Sequence, residues 1–287
     1  MTTPSASSSA EHVLVRDGVR LSCRDWGGSG PDTLLLHGLA GHSGEWDATA
    51  RLLRDAGHRV VALDLRGHGG SERRPADLSR AAHIADVVAV VEELGLVRPL
   101  LAGQSLGGLV ALRTAAAHPG LPRALVLVEA GPSGCEPGLP EQIGDWLRSW
   151  PVPFPSREAA VAYLGNGKRA VGEGWADGLE RRDGGLRPRF EPDVMVRSLA
   201  ENARRASWDE WAAVRCPGLV VLGEGARGGI IDGDQYAEMA RLQAGVHGVS
   251  LPGAGHDVHL ERPEALSGMI LDFLASTGPC LGVHSSS

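Results

Sequence analysis

The sequence of 287 residues has no apolar run long enough to cross a membrane, and it lacks the pattern of a secretion signal. A membrane-spanning helix needs about 20 predominantly apolar residues in a row. The segment from Met1 to Ala10 is rich in Ser and Thr and has no basic stretch followed by an apolar one, so it does not match a signal peptide. We therefore expect no membrane partner and a cytoplasmic location.

The sequence is also short of positive charge, with 28 Lys and Arg against 35 Asp and Glu and a net charge of −7. Because binding to phosphates needs a basic face, nucleic acid is not an expected partner. The cysteines have neither CxxC pairs nor metal-ligand spacing, which favours reduced thiols and no metal site: Cys23, Cys135, Cys216 and Cys280. Dinucleotide and Walker phosphate motifs are missing as well, so we expect no cofactor.

Short apolar runs alternate with helical patterns up to Val128, which is typical of a largely parallel sheet covered on both faces. Two runs on either side of Asp17-Gly18 predict an opening hairpin. Further strands are predicted at Thr33 to Leu36, Val60 to Leu63, Leu100 to Ala102, Ala124 to Val128, Leu219 to Leu222 and Val249 to Leu251. The pattern predicts an α/β fold with about eight strands flanked by helices.

The alternation is interrupted after the sixth predicted strand by about 80 residues that are rich in Pro and Gly, contain helical pieces and show no strong strand. Five of the seven tryptophans fall there: Trp146, Trp150, Trp175, Trp208 and Trp211. The predicted organisation is a disordered tail over 1–11, a core over 12–132 and 215–275, a helical insertion over 133–214 and a loose tail over 276–287.

The strongest local motif is Gly103-Gln104-Ser105-Leu106-Gly107-Gly108, which follows an apolar strand and begins a helix. A G-x-S-x-G segment in this context forms a sharp turn that exposes the Ser hydroxyl at a helix N-terminus. Free backbone N–H groups there favour a developing negative charge. The alternative is a Ser that merely caps a helix. We favour Ser105 as a nucleophile because two further elements follow in the right order.

The first of these elements is His37-Gly38-Leu39, directly after a predicted strand. Together with the N–H of Leu106, the N–H of Leu39 is expected to complete an oxyanion hole, and His37 is expected to order the loop.

The second element is the small-residue loop that ends at His256, after the last predicted strand. Imidazole has suitable basicity to take the Ser105 proton near neutral pH. His259 is the nearest rival for this role, and we favour His256.

With these elements in this order, the sequence resembles the α/β-hydrolase superfamily. The matching segments are LLLHGLAG at 34–41, VVALDLRGHGGS at 60–71, LLAGQSLGGLVAL at 100–112, ALVLVEAGP at 124–132 and SLPGAGHDVHLERPEAL at 250–266. The resemblance implies that 133–214 is a helical cap over the active site, and that Asp64 and Arg66 tie loops together. Related dehalogenases and epoxide hydrolases have Asp at the sharp turn that carries Ser105 here, called the nucleophile elbow. A Ser at the elbow implies acyl chemistry on esters, lactones, thioesters, amides or diketones.

In this superfamily a Ser, a His and an acidic residue form a catalytic triad, and the acid orients the His. The position where most relatives carry that acid is occupied here by Ala226. Some relatives carry the acid one strand earlier, and here that strand ends at Glu129. A Glu at the end of a buried strand needs a partner, and His256 would be one. We favour Glu129 as the triad acid over the remaining candidates, which are Glu224, Asp232 and Asp234. A Ser-His pair without an acid is a further alternative.

The substrate is expected to be a small molecule with a hydrophobic acyl part, because bulky apolar side chains are concentrated in the insertion. Trp46, Trp146 and Trp150 are the predicted substrate-binding residues. The predicted function is hydrolysis through an acyl-enzyme on Ser105. The alternatives are acyl transfer or cyclisation of the thioesterase kind, and a non-catalytic protein that binds ligands. Nothing in the sequence indicates an oligomeric state.

Overall fold

A central sheet of eight strands organises the chain in the computed structural model, which describes residues 9–277. Its strands are β1 Ala10–Arg16, β2 Val19–Gly27, β3 Asp32–Leu36, β4 Arg59–Asp64, β5 Leu100–Gln104, β6 Ala124–Val128, β9 Gly218–Leu222 and β10 Val246–Ser250; a separate hairpin pairs β7 Leu179–Arg182 with β8 Gly185–Pro188. The order in the central sheet is β1-β2-β4-β3-β5-β6-β9-β10, and all pairs are parallel except β1-β2 and β2-β4. The predicted fold class is confirmed.

The predicted opening hairpin is present, and its turn residues Asp17 and Gly18 both have positive φ. Positive φ at both central residues matches the right-handed twist of the strands that they join. The strand begins at Ala10, so the end of the predicted disordered tail is wrong from that residue on. The last helix likewise continues to Thr277, two residues into the predicted loose tail. The other residues of both tails lie outside the described range.

Helices cover both faces of the sheet. They are α1 Asp47–Asp55, α2 Arg80–Glu93, α3 Leu106–Ala117, α4 Leu139–Arg148, α5 Arg157–Gly165, α6 Arg169–Asp177, α7 Pro192–Ala203, α8 Trp208–Ala213, α9 Gly233–Leu242, α10 Val258–Glu261 and α11 Pro263–Thr277; 3₁₀ turns occupy Ser43–Trp46 and Gly225–Arg227. One apolar core lies between the sheet and α2, α3, α8 and α9, and the other between the sheet and α1 and α11. The sheet is therefore buried on both faces, as its apolar strands require.

The segment between β6 and β9 carries α4 to α8 and the β7-β8 hairpin. Its own apolar core is built around aromatic rings that meet edge to face, with Trp150 contacting Trp146, Trp175 and Phe190 at centroid distances of 5.4–5.6 Å. The hairpin corrects the expectation that this segment holds no strand. Its turn is Asp183-Gly184, both with positive φ, which is the same dipeptide signal as in the opening hairpin.

Within residues 9–277, no helix is both long and apolar enough to span a membrane. The same range contains no group of three or more His, Cys, Asp or Glu side chains arranged to hold a metal ion. Cys23, Cys135 and Cys216 are free thiols, and Cys280 lies outside the described range.

Candidate active site

Ser105 stands at a sharp turn between β5 and α3, with φ +50° and ψ −116°. A non-glycine residue rarely adopts a positive φ, and such conformations persist where the surrounding structure fixes them. The backbone is held from both sides, because the Ser105 N–H donates to the Val128 carbonyl of β6 and its carbonyl accepts from Leu109 in α3. Its side chain makes no capping hydrogen bond, so the alternative of a mere helix cap is not supported.

The glycines of the elbow allow α3 to lie directly on the strands. A Cβ on Gly107 would lie 2.3 Å from the carbonyl oxygen of Leu36 and 2.4 Å from that of His37. We therefore expect Gly107→Ala to lower the free energy of unfolding by about 1–3 kcal/mol, as overpacking does, even though alanine is otherwise the better helix former. Urea denaturation midpoints check this expectation. Gly120→Ala is the matched control, since nothing lies within 4 Å of its added Cβ; equal midpoints for both variants would contradict the close packing.

The backbone N–H groups of Leu39 and Leu106 have no hydrogen-bond acceptor among residues 9–277. Both residues line the same cavity as Ser105. Leu106 begins α3 and Leu39 lies in the loop after β3, and two free N–H groups that face one cavity are suited to bind an anionic oxygen.

His37 holds the loop in place. Its Nδ1 lies 2.7 Å from the Gly38 carbonyl oxygen, and its Nε2 accepts from the Leu65 N–H at 3.0 Å. Burial lowers the pKa of His37 to about 3, so the ring stays neutral. His37 orders the loop through both ring nitrogens and has none left for substrate.

His256 lies on the loop between β10 and α10 and faces the same cavity. Gln104, next to the elbow serine, donates from Nε2 to the His256 carbonyl at 3.1 Å and so connects this loop to the elbow. His256 Nδ1 lies 3.5 Å from Glu129 Oε2. This distance is within ion-pair range, but Nδ1 makes no hydrogen bond within residues 9–277. Because Nδ1 faces Glu129, Nε2 is the ring nitrogen that remains without an acidic partner.

Glu129 follows β6 directly, is fully buried and has a positive φ of 47°. Its Oε1 accepts from the Gly223 N–H at 2.6 Å, and its Oε2 accepts from the Ile230 N–H at 2.5 Å. These donors compensate part of the cost of burying a carboxylate. The side chain therefore anchors the loop after β9 and also faces His256.

The rival acids have other partners. Glu224 is half-exposed and lies 3.9 Å from Arg227, whereas Asp232 accepts from Gln235 N–H at 2.7 Å as the N-cap of α9. Asp234 belongs to the first turn of the same helix. None of the three is within ion-pair distance of His256 in the described chain. Glu129 is the acid that the geometry favours.

A cavity of about 490 Å³ opens above Ser105, between the carboxyl edge of the sheet and the inserted helices. Apolar side chains from both parts line it, among them Leu109, Leu139, Ile143, Leu199 and Ile231. The size is in the range of small-molecule pockets. No Lys or Arg of the described chain lines it, and its acidic members are Glu45, Glu129 and Asp257.

Of the three predicted substrate-binding residues, Trp146 lines this cavity and is partly exposed at its edge. The structure contradicts the prediction for Trp46, which is fully buried in the core between the sheet, α1 and α11. It also contradicts the prediction for Trp150, whose ring packs inside the aromatic cluster of the insertion and lies outside the lining. Trp175 was not predicted and does line the cavity.

Two buried polar side chains hold the loops around the site. Asp64 accepts from the Ser43 N–H at 2.5 Å and from the Gly70 N–H at 2.7 Å. Arg66 makes a bidentate pair with Asp86, with both N–O distances 2.6 Å. Both make tethering contacts, as the resemblance implies for this motif.

The fold and the site now allow a comparison with known proteins. A family model described as "Alpha/beta hydrolase family" matches residues 33–268. The chain belongs to this family. N-formylmaleamate deformylase of Pseudomonas putida is 31% identical over 268 residues, which cover 90% of this chain and 94% of the relative. An esterase of Mycobacterium tuberculosis is 30% identical over 258 residues, covering 86% and 83%. As a member of the α/β hydrolase family with such relatives, the protein is a hydrolase.

Solved structures agree with this family membership. The crystal structure of E-2-(acetamidomethylene)succinate hydrolase superposes with a TM-score of 0.83 at 25% identity, over 92% of this chain and 98% of that one. A thioesterase domain from the curacin biosynthetic pathway gives a TM-score of 0.75 at 24% identity, over 92% and 99%, which shows a shared fold.

Glu45 and Asp257 line the hydrolase's cavity without having been predicted. Asp257 could have been found, since it directly follows His256 on the same loop. Glu45 precedes a tryptophan in a segment with no catalytic motif. Its position in the cavity wall depends on tertiary contacts, which the sequence pattern does not predict.

Proposed function

We propose that the protein is a serine hydrolase that cleaves a carboxylic ester, lactone or thioester with a neutral, hydrophobic acyl part. The observation that carries this proposal is that Ser105, His256 and Glu129 line one largely apolar cavity, with His256 facing Glu129. The geometry supports a nucleophile, a base and an acid that orients the base.

The reaction begins when Ser105 Oγ attacks the substrate carbonyl carbon and His256 Nε2 takes the hydroxyl proton. The N–H groups of Leu39 and Leu106 hold the resulting oxyanion. Collapse of this intermediate breaks the bond to the alcohol or thiol, which leaves with the proton from His256. Water then attacks the acyl-enzyme, gives a proton to His256 and releases the acid, and the proton returns to Ser105. Glu129 stabilises the charged imidazole, with a contact that tightens when substrate binds.

The acyl part is neutral in this proposal because of the charges around the cavity. Two relatives are named for acting on N-formylmaleamate and 2-(acetamidomethylene)succinate, both carboxylates. In this chain the acidic residues of the lining are Glu45, Glu129 and Asp257, and within the described range no Lys or Arg lines the cavity. A substrate carboxylate placed there would lie in a largely apolar environment near the Glu129 carboxylate, with no Lys or Arg beside it, which is costly.

The proposal is tested with two p-nitrophenyl esters of equal carbon number, the hexanoate and the monoester of adipic acid. We expect kcat/KM to be at least about ten-fold higher for the hexanoate, because an unpaired buried charge costs more than the roughly 1.4 kcal/mol that a ten-fold ratio represents. The acetate ester is the control for chain length. Equal rates for hexanoate and adipate would remove the charge argument, and absence of turnover on all esters would favour a narrower substrate or ligand binding.

The same assay separates hydrolysis from acyl transfer. Added alcohols or amines compete with water for the acyl-enzyme, and product analysis gives the partition. Free acid as the main product at modest acceptor concentration supports hydrolysis, whereas predominant transfer products would assign the protein to acyl transfer.

A further inference from the structure

Glu45 is a buried acid on the wall of the catalytic cavity that the proposed mechanism does not use. It lies in the 3₁₀ turn Ser43–Trp46, six residues after Leu39, and is 5% exposed. Its Oε2 is 3.3 Å from His259 Nε2, and its Oε1 has no hydrogen-bond partner within residues 9–277. An unpaired buried carboxyl oxygen is costly, so the side chain calls for a functional explanation.

His259 connects Glu45 to the base. It lies three residues after His256, in α10, and is 1% exposed. Its ring packs on that of Trp46 at a centroid distance of 4.8 Å, and its Nδ1 has no partner in the described chain. The carboxyl–imidazole pair thus links the segment that follows the oxyanion loop to the helix that follows the general base.

The protonation of this pair is set mainly by burial. Burial raises the pKa of Glu45 to about 8; the nearby imidazole of His42 opposes this rise, whereas Asp257 and Asp64 add to it. A protonated Glu45 is neutral, and it becomes an anion as the pH rises through about 8.

Burial also lowers the pKa of His259 to about 4, with Asp257 and Glu261 acting against this shift and His256 adding to it. Between about pH 4 and pH 8 the pair is therefore neutral overall, as a protonated carboxyl group beside a neutral imidazole. Above that range the pair carries one buried negative charge.

We propose that Glu45 is a positioning residue that, through its contact with His259, couples the oxyanion loop to the His256 loop and supports catalysis only while its carboxyl group is protonated. The proposal rests on the proposed function. Once the proton is lost, a negative charge faces the cavity in which the substrate oxyanion must form, and no described Lys or Arg lines that cavity to offset it. The transition state is disfavoured more than substrate binding, so kcat falls and KM changes little.

The test is the pH dependence of hexanoate ester hydrolysis from pH 6 to 9.5, corrected for spontaneous hydrolysis. We expect wild-type kcat to fall about five-fold between pH 8 and pH 9, as for loss of one proton with a midpoint near 8. Glu45→Gln keeps a neutral side chain and is expected to lose this alkaline decrease. Glu264→Gln changes an exposed acid on α11 and is expected to retain the wild-type profile. An unchanged decrease in Glu45→Gln overturns the proposal.

A second measurement does not depend on turnover. In protein labelled on histidine with ¹³C and ¹⁵N, the His259 ring signals are assigned by their loss in His259→Gln. We expect these signals to shift with a midpoint near pH 8, and a flat response from pH 6 to 9.5 overturns the loss of the Glu45 proton in this range. If wild type shows no turnover that depends on Ser105, the proposed function fails, while the NMR titration still decides the state of the Glu45–His259 pair.

Discussion

Ser105→Ala is expected to lower kcat for ester hydrolysis by at least about 10³-fold, the size of loss seen when a triad nucleophile is removed. The fold is expected to be unaffected, because the Ser105 side chain makes no capping hydrogen bond and alanine keeps the same Cβ. Kinetics on the hexanoate ester measure the loss, and labelling with a fluorophosphonate probe followed by peptide mass spectrometry locates the adduct. Wild type is expected to carry the label on Ser105.

Ser133→Ala is the matched control, since Ser133 lines the same cavity on the segment after β6. It is expected to keep kcat within a few-fold of wild type and to be labelled normally. Residual activity of Ser105→Ala comparable to wild type, or a label on another residue, would disprove the assignment of Ser105 as the nucleophile.

The Ser105→Gly variant tests backbone strain at the elbow, because glycine adopts φ +50° readily. We expect it to melt no lower than Ser105→Ala, although glycine usually costs 0.5–1 kcal/mol in regular structure.

The elbow and the strands could be predicted because each is determined by the residues of its own short segment. The run from Ala124 to Val128 is apolar throughout and matches β6 residue for residue, as expected for a strand covered on both faces. The start of β10 was predicted three residues too late and its end one residue too late, because at the sheet edge its exposed positions His247 and Gly248 break the apolar pattern. Asp183-Gly184 carried a hairpin signal, but charged neighbours on both strands concealed it.

The site could be predicted only in part, because burial and tertiary contacts decide which side chains reach the cavity. Trp46 was predicted to bind substrate because it follows the oxyanion loop, and Trp146 because it lies in the aromatic-rich insertion, yet Trp46 is fully buried in the core and Trp146 lines the cavity. A helix turned by one residue changes which side chain faces inward, and the sequence of the insertion does not fix that rotation. The same limit applies to Glu45, whose partner His259 is 214 residues away.

Glu129→Gln is expected to lower kcat by about 10²–10⁴-fold with little change in KM, the kind of loss that follows when the acid of a triad no longer orients its histidine. The carboxylate faces His256 Nδ1, and an amide in its place supplies less charge to stabilise the imidazolium. The carboxylate also accepts hydrogen bonds from the backbone N–H groups of Gly223 and Ile230. In Gln the side-chain –NH₂ group would face one of these N–H donors, and that hydrogen bond would be lost. A loss of stability of about 1–3 kcal/mol is therefore expected in addition.

These two effects must be separated, since an acid that only tethers the β9 loop would also lower activity by unfolding the site. Kinetics are therefore measured well below the melting temperature of the variant, with Glu224→Gln as the matched control because Glu224 lies on the same loop and pairs with Arg227. The ¹⁵N shifts of His256 give an independent readout: a triad acid fixes the proton on Nδ1, and its loss changes the tautomer. A folded Glu129→Gln variant with wild-type kcat and an unchanged His256 tautomer would show that Glu129 only holds the loop after β9 and takes no part in catalysis. In that case the Ser105–His256 pair works without a carboxylate partner, because neither Glu224 nor Asp232 reaches His256 in this fold.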